Sequence, residues 1–193
     1  MPAAVRLAGV ALLLGGALSI WGGCAATRAA TGAPPEAGVS PLPAHVIPGV
    51  PFLPQEEDTC GPSALAMLLR FRGRDATTAE LVRETRTAGL RGTLITDLAA
   101  AARRRGVPAE VERLDLPALR GRVIGGEPVI LLVDLGAWVW SRPHYMLAYG
   151  VTPEGVVAHS GRSEGKLIPY GTLDAQWAKM GHLAIVAPGG GGR

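Results

Sequence analysis

The stretch "QEEDTCGPSALAMLL", residues 55–69, decides how this chain is read. It joins an acidic loop to an apolar run, and a cysteine followed by Gly-Pro marks the junction. Pro62 suits the first turn of a helix, where its missing N–H costs little. Ala64 to Leu69 are apolar all round, which predicts a helix buried on every side. Asp58 or Thr59 is expected to cap it. Cys60 then falls at the N-terminus of a buried helix, where unpaired N–H groups and the helix dipole favour a thiolate. The chain holds only 2 cysteines. Count alone leaves two readings open for Cys60: a reactive thiol or a small buried hydrophobe.

Towards the N-terminus, "VPFLPQ" (50–55) is a short extended lead-in interrupted by two prolines. Residues 1–23 carry one basic residue, the apolar run "LAGVALLLGGALSI" (7–20) and then small residues before Cys24. That is the layout of a secretory signal peptide. The cysteine at its end resembles a bacterial lipoprotein signal, in which Cys24 becomes the lipidated first residue; Trp21 stands where such signals usually carry a Leu-type residue. Residues 24–48, rich in Ala, Gly and Pro, read as a flexible tether, residues 49–188 as the domain, and 189–193 as a flexible tail. The expected location is the bacterial cell envelope, anchored by lipid to a membrane and facing the periplasm if there are two membranes.

The domain opens with helical signals. Thr77 and Glu80 form the T-x-x-E pattern of a capping box before "TTAELVRETRT" (77–87). A third helix is expected over 93–106, ended by Gly106 and Pro108, then a short strand at 109–114 and a helix at 116–126. Strands are expected at 128–135, 144–151, 155–160 and 182–188, with "TPEG" (152–155) as a tight turn. A late helix is expected over 172–181. Helices first and strands later is an α+β layout.

The 193 residues are 48% hydrophobic with a formal net charge of +3, which describes a globular domain of mild charge. The longest basic cluster is Arg103–Arg105, at the expected end of a helix, so no nucleic-acid partner is expected.

A cysteine nucleophile needs a base. Of four histidines, His45 falls in the tether, His182 begins the last strand and His159 follows the TPEG turn. His144 opens an apolar strand behind "WVWSRP", a place suited to a cleft; the bland alternative is a hydrogen-bonded core or surface histidine. Gln55, five residues before Cys60, can donate to an oxyanion together with the Cys60 N–H. The acids Glu56, Glu57 and Asp58 oppose thiolate formation if they point inward, so they are expected to face solvent. Trp138 and Trp140 either wall a groove or pack on the domain edge, and packing is expected.

Gln-x4-Cys-Gly-Pro, an apolar helix, then His-Tyr opening a strand that ends in Tyr-Gly-Val resembles the bacteriocin-processing cysteine peptidases of family 39, papain-like enzymes that cut after double-glycine leaders. It looks more like their stand-alone exported members, which lack transporter domains, and the resemblance covers about residues 50–188. It implies a papain-like fold, with a buried helix carrying cysteine packed on an antiparallel sheet carrying histidine. It implies hydrolysis of peptide bonds, with Cys60 as nucleophile, His144 as base and Gln55 as oxyanion donor. The partner is a peptide or protein substrate, and no cofactor or metal is implied. The family usually places an aspartate on the strand after the histidine strand. This chain offers His159 or Ser160 there. A regular TPEG turn puts His159 on the face of His144, whereas a one-residue bulge puts Ser160 there. Asp134 is a further candidate to orient His144, with a strand-end cap as its bland reading. Two other functions stay open: a thiol-dependent acyl transferase, and a non-catalytic peptide-binding module on the same scaffold. The substrate sequence and the oligomeric state are not legible.

Overall fold

Helices precede strands in the computed structural model, which describes residues 43–87, 89, 92–137 and 139–189. The elements are β1 (His45–Val46), a 3-10 turn (Glu57–Thr59), α1 (Cys60–Phe71), α2 (Thr78–Thr85), α3 (Ile95–Arg104), β2 (Glu110–Arg113), α4 (Leu116–Ile124), β3 (Val129–Asp134), β4 (Pro143–Val151), β5 (Gly155–Ser160), β6 (Ser163–Pro169), α5 (Tyr170–Ala178) and β7 (Leu183–Val186). Residues 1–23, read as a signal peptide, residues 24–42 of the expected tether and residues 190–193 of the tail lie outside the described residues.

Among the described residues, an antiparallel sheet runs β2-β7-β3-β4-β5-β6, with β1 paired to β4. The strand β3, "VILLVD", is buried at every position. Its side chains alternate between two cores, as a strand covered on both faces requires. Ile130 and Leu132 join the core with α1, α2 and α3. Val129, Leu131 and Val133 join the core with α4 and α5. The sheet is therefore sandwiched, and α1 is the helix that packs centrally on it. Leu65, Met67, Leu68 and Leu69 of α1 are fully buried. Truncating any one to alanine costs about 2–5 kcal/mol, so the segment that bears Cys60 is rigidly seated.

Local signals placed the helices well. Thr77 Oγ1 accepts from the Glu80 N–H at 3.2 Å, and the Glu80 carboxylate accepts the Thr77 N–H at 3.0 Å, closing the expected capping box of α2. The cap of α1 differs from expectation. Thr59 is its N-cap residue but makes no side-chain cap bond there. Its hydroxyl instead accepts the Glu56 N–H at 3.1 Å, and the 3-10 turn delivers the chain into the helix.

Two strands were not anticipated. β6, "SEGKLIP", is an edge strand, largely exposed and polar, so no apolar alternation marks it. β1 lies within the stretch read as tether. His45 pairs with Val151 and Val46 with Gly150, the Ile47 N–H donates to the Tyr149 carbonyl at 2.9 Å, and Ile47 is buried. The folded domain therefore begins by residue 45 rather than 49; a strand of two residues is too short to carry a period.

Candidate active site

Cys60 is the first residue of α1 and is partly buried against β4. The backbone N–H of Tyr145, in the peptide that joins it to His144, hydrogen-bonds the Cys60 sulfur. The N–H groups of Gly61 and of Cys60 itself also favour its thiolate form. This close approach needs glycine at 61: a Cβ there would stand 3.0 Å from Leu98 Cδ1 and 3.0 Å from the Tyr145 ring. Burial nevertheless pushes the Cys60 thiol above its ordinary value, and the nearby Asp58 charge pushes the same way, against the pull of those three N–H groups. Asp58 is thus a correction: it is half-buried and borders the site rather than facing away from it. Glu56 does face solvent, in an exposed pair with Arg162 at 3.0 Å.

Gln55 is buried and held at both ends. Its Oε1 accepts the Gly161 N–H at 2.6 Å, and its Nε2 donates to the Cys60 carbonyl at 3.3 Å. Its own N–H donates to the Gly161 carbonyl at 2.9 Å. Gly161 sits at φ 61 in the two-residue turn between β5 and β6, a conformation that favours glycine. The residue before it, Ser160, is only 8% exposed, and its hydroxyl lies 3.0 Å from His144 Nε2. One turn therefore holds both the glutamine amide and the imidazole.

A bulge decides which residue meets His144. The β4–β5 pairing shifts register between Ala148 and Gly150, leaving Tyr149 as the extra residue. The slip turns Ser160 towards His144 and His159 away, because neighbouring residues on a strand face opposite sides. His159 is 1% exposed. Its ring stacks on Tyr149 with centroids 4.3 Å apart and lies 5.2 Å from Phe52. Its Nδ1 accepts the Gly165 N–H at 3.3 Å, which makes Nε2 the donor to the Val50 carbonyl at 3.4 Å. It is a core histidine.

Asp134 is engaged elsewhere than at His144. Its Oδ1 accepts the N–H groups of Gly136 and Arg142, each at 2.7 Å. These bonds, with Ser141 and the Lys179 charge, hold its carboxyl below the usual range despite some desolvation. It pairs in register with Pro143, one position out of step with His144, so the two side chains leave opposite faces. Its role is to clamp the loop 135–142. On that loop Trp140 is 79% exposed, so it does not pack as expected; Trp138 lies outside the described residues.

Burial, followed by the charges of Arg142 and Lys166, pushes the His144 imidazole from 6.5 down to about 4. Burial thus favours the neutral form of both thiol and imidazole. Two cavities meet at this point. A polar one of about 500 Å³ is bordered by Gln55, His144, Arg142 and Arg162. An apolar one of about 370 Å³ is bordered by Cys60 and Tyr145. Asp58 and Pro143 border both.

A cysteine at the head of a buried helix, facing a histidine strand beside a pinned glutamine amide, is the architecture of a papain-like cysteine peptidase. The sequence model of the Peptidase C39 family matches residues 51–189, and the chain belongs to that family of cysteine-type peptidases. No curated protein matches the chain. Solved structures share the fold. A C39-like peptidase from Bacillus anthracis has a TM-score of 0.64 at 18% identity, over 77% of this chain and 98% of that one. The peptidase domain of Streptococcus ComA, a bifunctional ABC transporter of a quorum-sensing pathway, has a TM-score of 0.61 at 23% identity, over 72% of this chain and 99% of that one. A double-glycine-motif protease from an AMS/PCAT transporter, in complex with its leader peptide, has a TM-score of 0.59 at 18% identity, over 75% of this chain and 95% of that one.

Proposed function

We propose that this peptidase works from a membrane surface, tethered through a lipidated Cys24, and cuts peptide substrates with Cys60 as nucleophile and His144 as base. Ser160 orients the imidazole, and Gln55 with the Cys60 N–H receives the oxyanion. The observation that carries these roles is the Ser160–His144 contact at 3.0 Å, set one residue before the N–H that meets the sulfur. With Nε2–H donating to the serine oxygen, Nδ1 is the nitrogen left to take a proton.

The chemistry follows from a neutral resting pair. As sulfur bonds to the scissile carbonyl carbon, the thiol proton passes to His144 Nδ1 and the carbonyl electron pair moves to oxygen. Gln55 Nε2 carries two hydrogens, of which one binds the Cys60 carbonyl; the other is available to that oxygen. His144 then returns the proton to the leaving amine, the C–N bond breaks, and a thioester remains on Cys60. Water, deprotonated by His144, attacks the thioester and releases the acid and the thiol. A serine hydroxyl supports the transient imidazolium by a dipole, where a carboxylate would support it by charge.

The test uses the chain with Cys24→Ser, which has one thiol, against a peptide library with mass-spectrometric readout. Cys60→Ala should abolish cleavage, and His144→Ala should lower it by about 10²–10⁴-fold. Cleavage that survives Cys60→Ala overturns these roles. The tether is supported by the sequence of residues 1–24 alone. Its test is incorporation of labelled palmitate into the parent chain in cells, lost in Cys24→Ser; labelling that persists in that variant refutes it.

A further inference from the structure

The loop 135–142 carries apolar side chains that the fold leaves in water. Val139 is 90% exposed and Trp140 79%, whereas the other exposed large hydrophobics among the described residues reach only 45–50%. Tryptophan is a side chain that folded chains mostly bury. The loop is nevertheless tightly built. Asp134 receives the N–H groups of Gly136 and Arg142. The Leu135 N–H donates to the Arg142 carbonyl at 3.0 Å and the Trp140 N–H to the Ala137 carbonyl at 3.1 Å. Lys179 Nζ donates to the Gly136 carbonyl at 2.8 Å. A Cβ on Gly136 would strike the Trp140 carbonyl oxygen, so this close approach requires glycine. The fold therefore holds two apolar side chains out of the protein in a fixed position.

A bilayer suits them better than a protein partner. A stable protein interface takes about 800 Å² from each side, and two side chains at a loop tip offer far less. A bilayer needs no complementary shape. Binding to it grows with the apolar area immersed and with the attraction of cations for anionic headgroups, and tryptophan favours the headgroup level. Cations stand at the base of the loop: Arg142 belongs to it and Lys179 is bonded to it. The acid of the clamp, Asp134, is buried. Glu56 and Asp58, which border the polar cavity with Arg142, belong to the approach to α1. Chain length permits the contact. β1 pairs with β4 at Val151 and Gly150, whereas the loop enters β4 at Pro143, so the two ends lie about 30 Å apart along the strand. Residues 25–44 reach about 70 Å when extended, enough to let this far end touch the membrane in which Cys24 is proposed to sit.

We propose that the loop 135–142 is a membrane contact: Val139 and Trp140 enter the headgroup region of a bilayer, and the peptidase cleft opens at its surface. Ser141 and Arg142 of the same loop border the polar cavity beside His144, so immersing the tip brings that cavity to the boundary between lipid and water. Peptides that lie on the membrane then meet the site directly. A lipid at Cys24 keeps the domain near a membrane, and the loop fixes which end of the domain is turned to it. The inference extends the reading of a membrane-tethered peptidase, and its test does not depend on acylation.

The experiment places a dye on the loop of the full chain. With Cys24→Ser and Cys60→Ala the chain has no cysteine; Val139→Cys then gives it one, labelled with the polarity-sensitive dye NBD. A second chain carries the dye at Glu154→Cys, an exposed position between β4 and β5 at the other end of β4. Each is mixed with vesicles of equal parts phosphatidylcholine and phosphatidylglycerol, and bound chain is collected by flotation. On vesicles the emission at 139 should rise severalfold and be quenched by spin-labelled lipid, while emission at 154 stays as in solution. The apolar run of residues 7–20 favours the vesicle whatever the loop does, so a bound chain whose dye at 139 stays in water overturns the proposal. A chain that binds no vesicle overturns it too, as does equal quenching at 139 and 154. Adding Trp140→Glu should remove at least half of the rise at 139; an unchanged rise refutes the assignment to Trp140. A dye at 139 that is silent on vesicles and responds to proteome-derived peptides makes the loop a peptide contact and overturns the membrane reading. Because these chains lack the Cys24 thiol, insertion of the loop without palmitate labelling of the parent chain sinks the tether and leaves the loop standing.

Discussion

Replacing Ser160 by aspartate tests the arrangement at its centre. The hydroxyl lies 3.0 Å from His144 Nε2, so a carboxylate at 160 reaches the same nitrogen. Opposite charges about 4 Å apart attract by roughly 4 kcal/mol at the effective dielectric of a partly buried site, or about 3 pKa units. Desolvation of the new carboxylate removes part of this, leaving a rise of about 1–3 units. His144, held near 4 by burial and by Arg142 and Lys166, should rise to about 5–7. An imidazolium then lowers the thiol, which burial now holds above its ordinary value. The assay is the pH dependence of iodoacetamide alkylation in the Cys24→Ser chain. Ser160→Asp should move the Cys60 midpoint down by about a unit or more, and adding His144→Ala should cancel the move. A midpoint that stays or rises in Ser160→Asp refutes the reasoning: unmoved, the imidazole does not couple to the thiol, and raised, the new charge acts on the thiol directly.

Three further outcomes follow from the same geometry. His144 binds protons more weakly folded, near 4, than unfolded, near 6.5. Stability is therefore complete above about pH 6.5 and falls by up to about 3 kcal/mol as the pH drops to 4; urea unfolding at pH 7.5, 5.5 and 4 should show this, with a shallower slope in His144→Gln. Asp134→Ala removes the acceptor of the Gly136 and Arg142 N–H groups, which should cost about 1–3 kcal/mol by denaturant titration and speed hydrogen exchange at both amides. Gly61→Ala drives a methyl group against Leu98 and Tyr145; it should cost about 1–3 kcal/mol and, by shifting the N–H that meets the sulfur, slow alkylation of Cys60.

What the sequence determined by itself is what local chain physics controls. The all-apolar run from Ala64 to Leu69 requires a buried helix, Pro62 sets its first turn, and Cys60 must then lie at its positive end. The Thr77–Glu80 pair starts α2 by bonds that span three residues, and the apolar run of residues 128–135 marked the strand β3. The Cys60 and His144 motifs marked the two halves of the site without showing how they meet. That was decided by long-range pairing. Whether His159 or Ser160 meets His144 depends on one extra residue, Tyr149, in the β4–β5 ladder, and a register slip of one leaves no trace in composition or period. Asp134 clamps its loop because the N–H groups of Gly136 and Arg142 converge on it. Asp58 borders the cavities because the 3-10 turn brings it there. β1 and β6 were unreadable because a two-residue strand and a polar edge strand bury too little to show a pattern. The apolar cavity beside Cys60 is assembled from α3, β3, β4 and the approach to β7, segments far apart in the chain that only the tertiary fold brings to one wall.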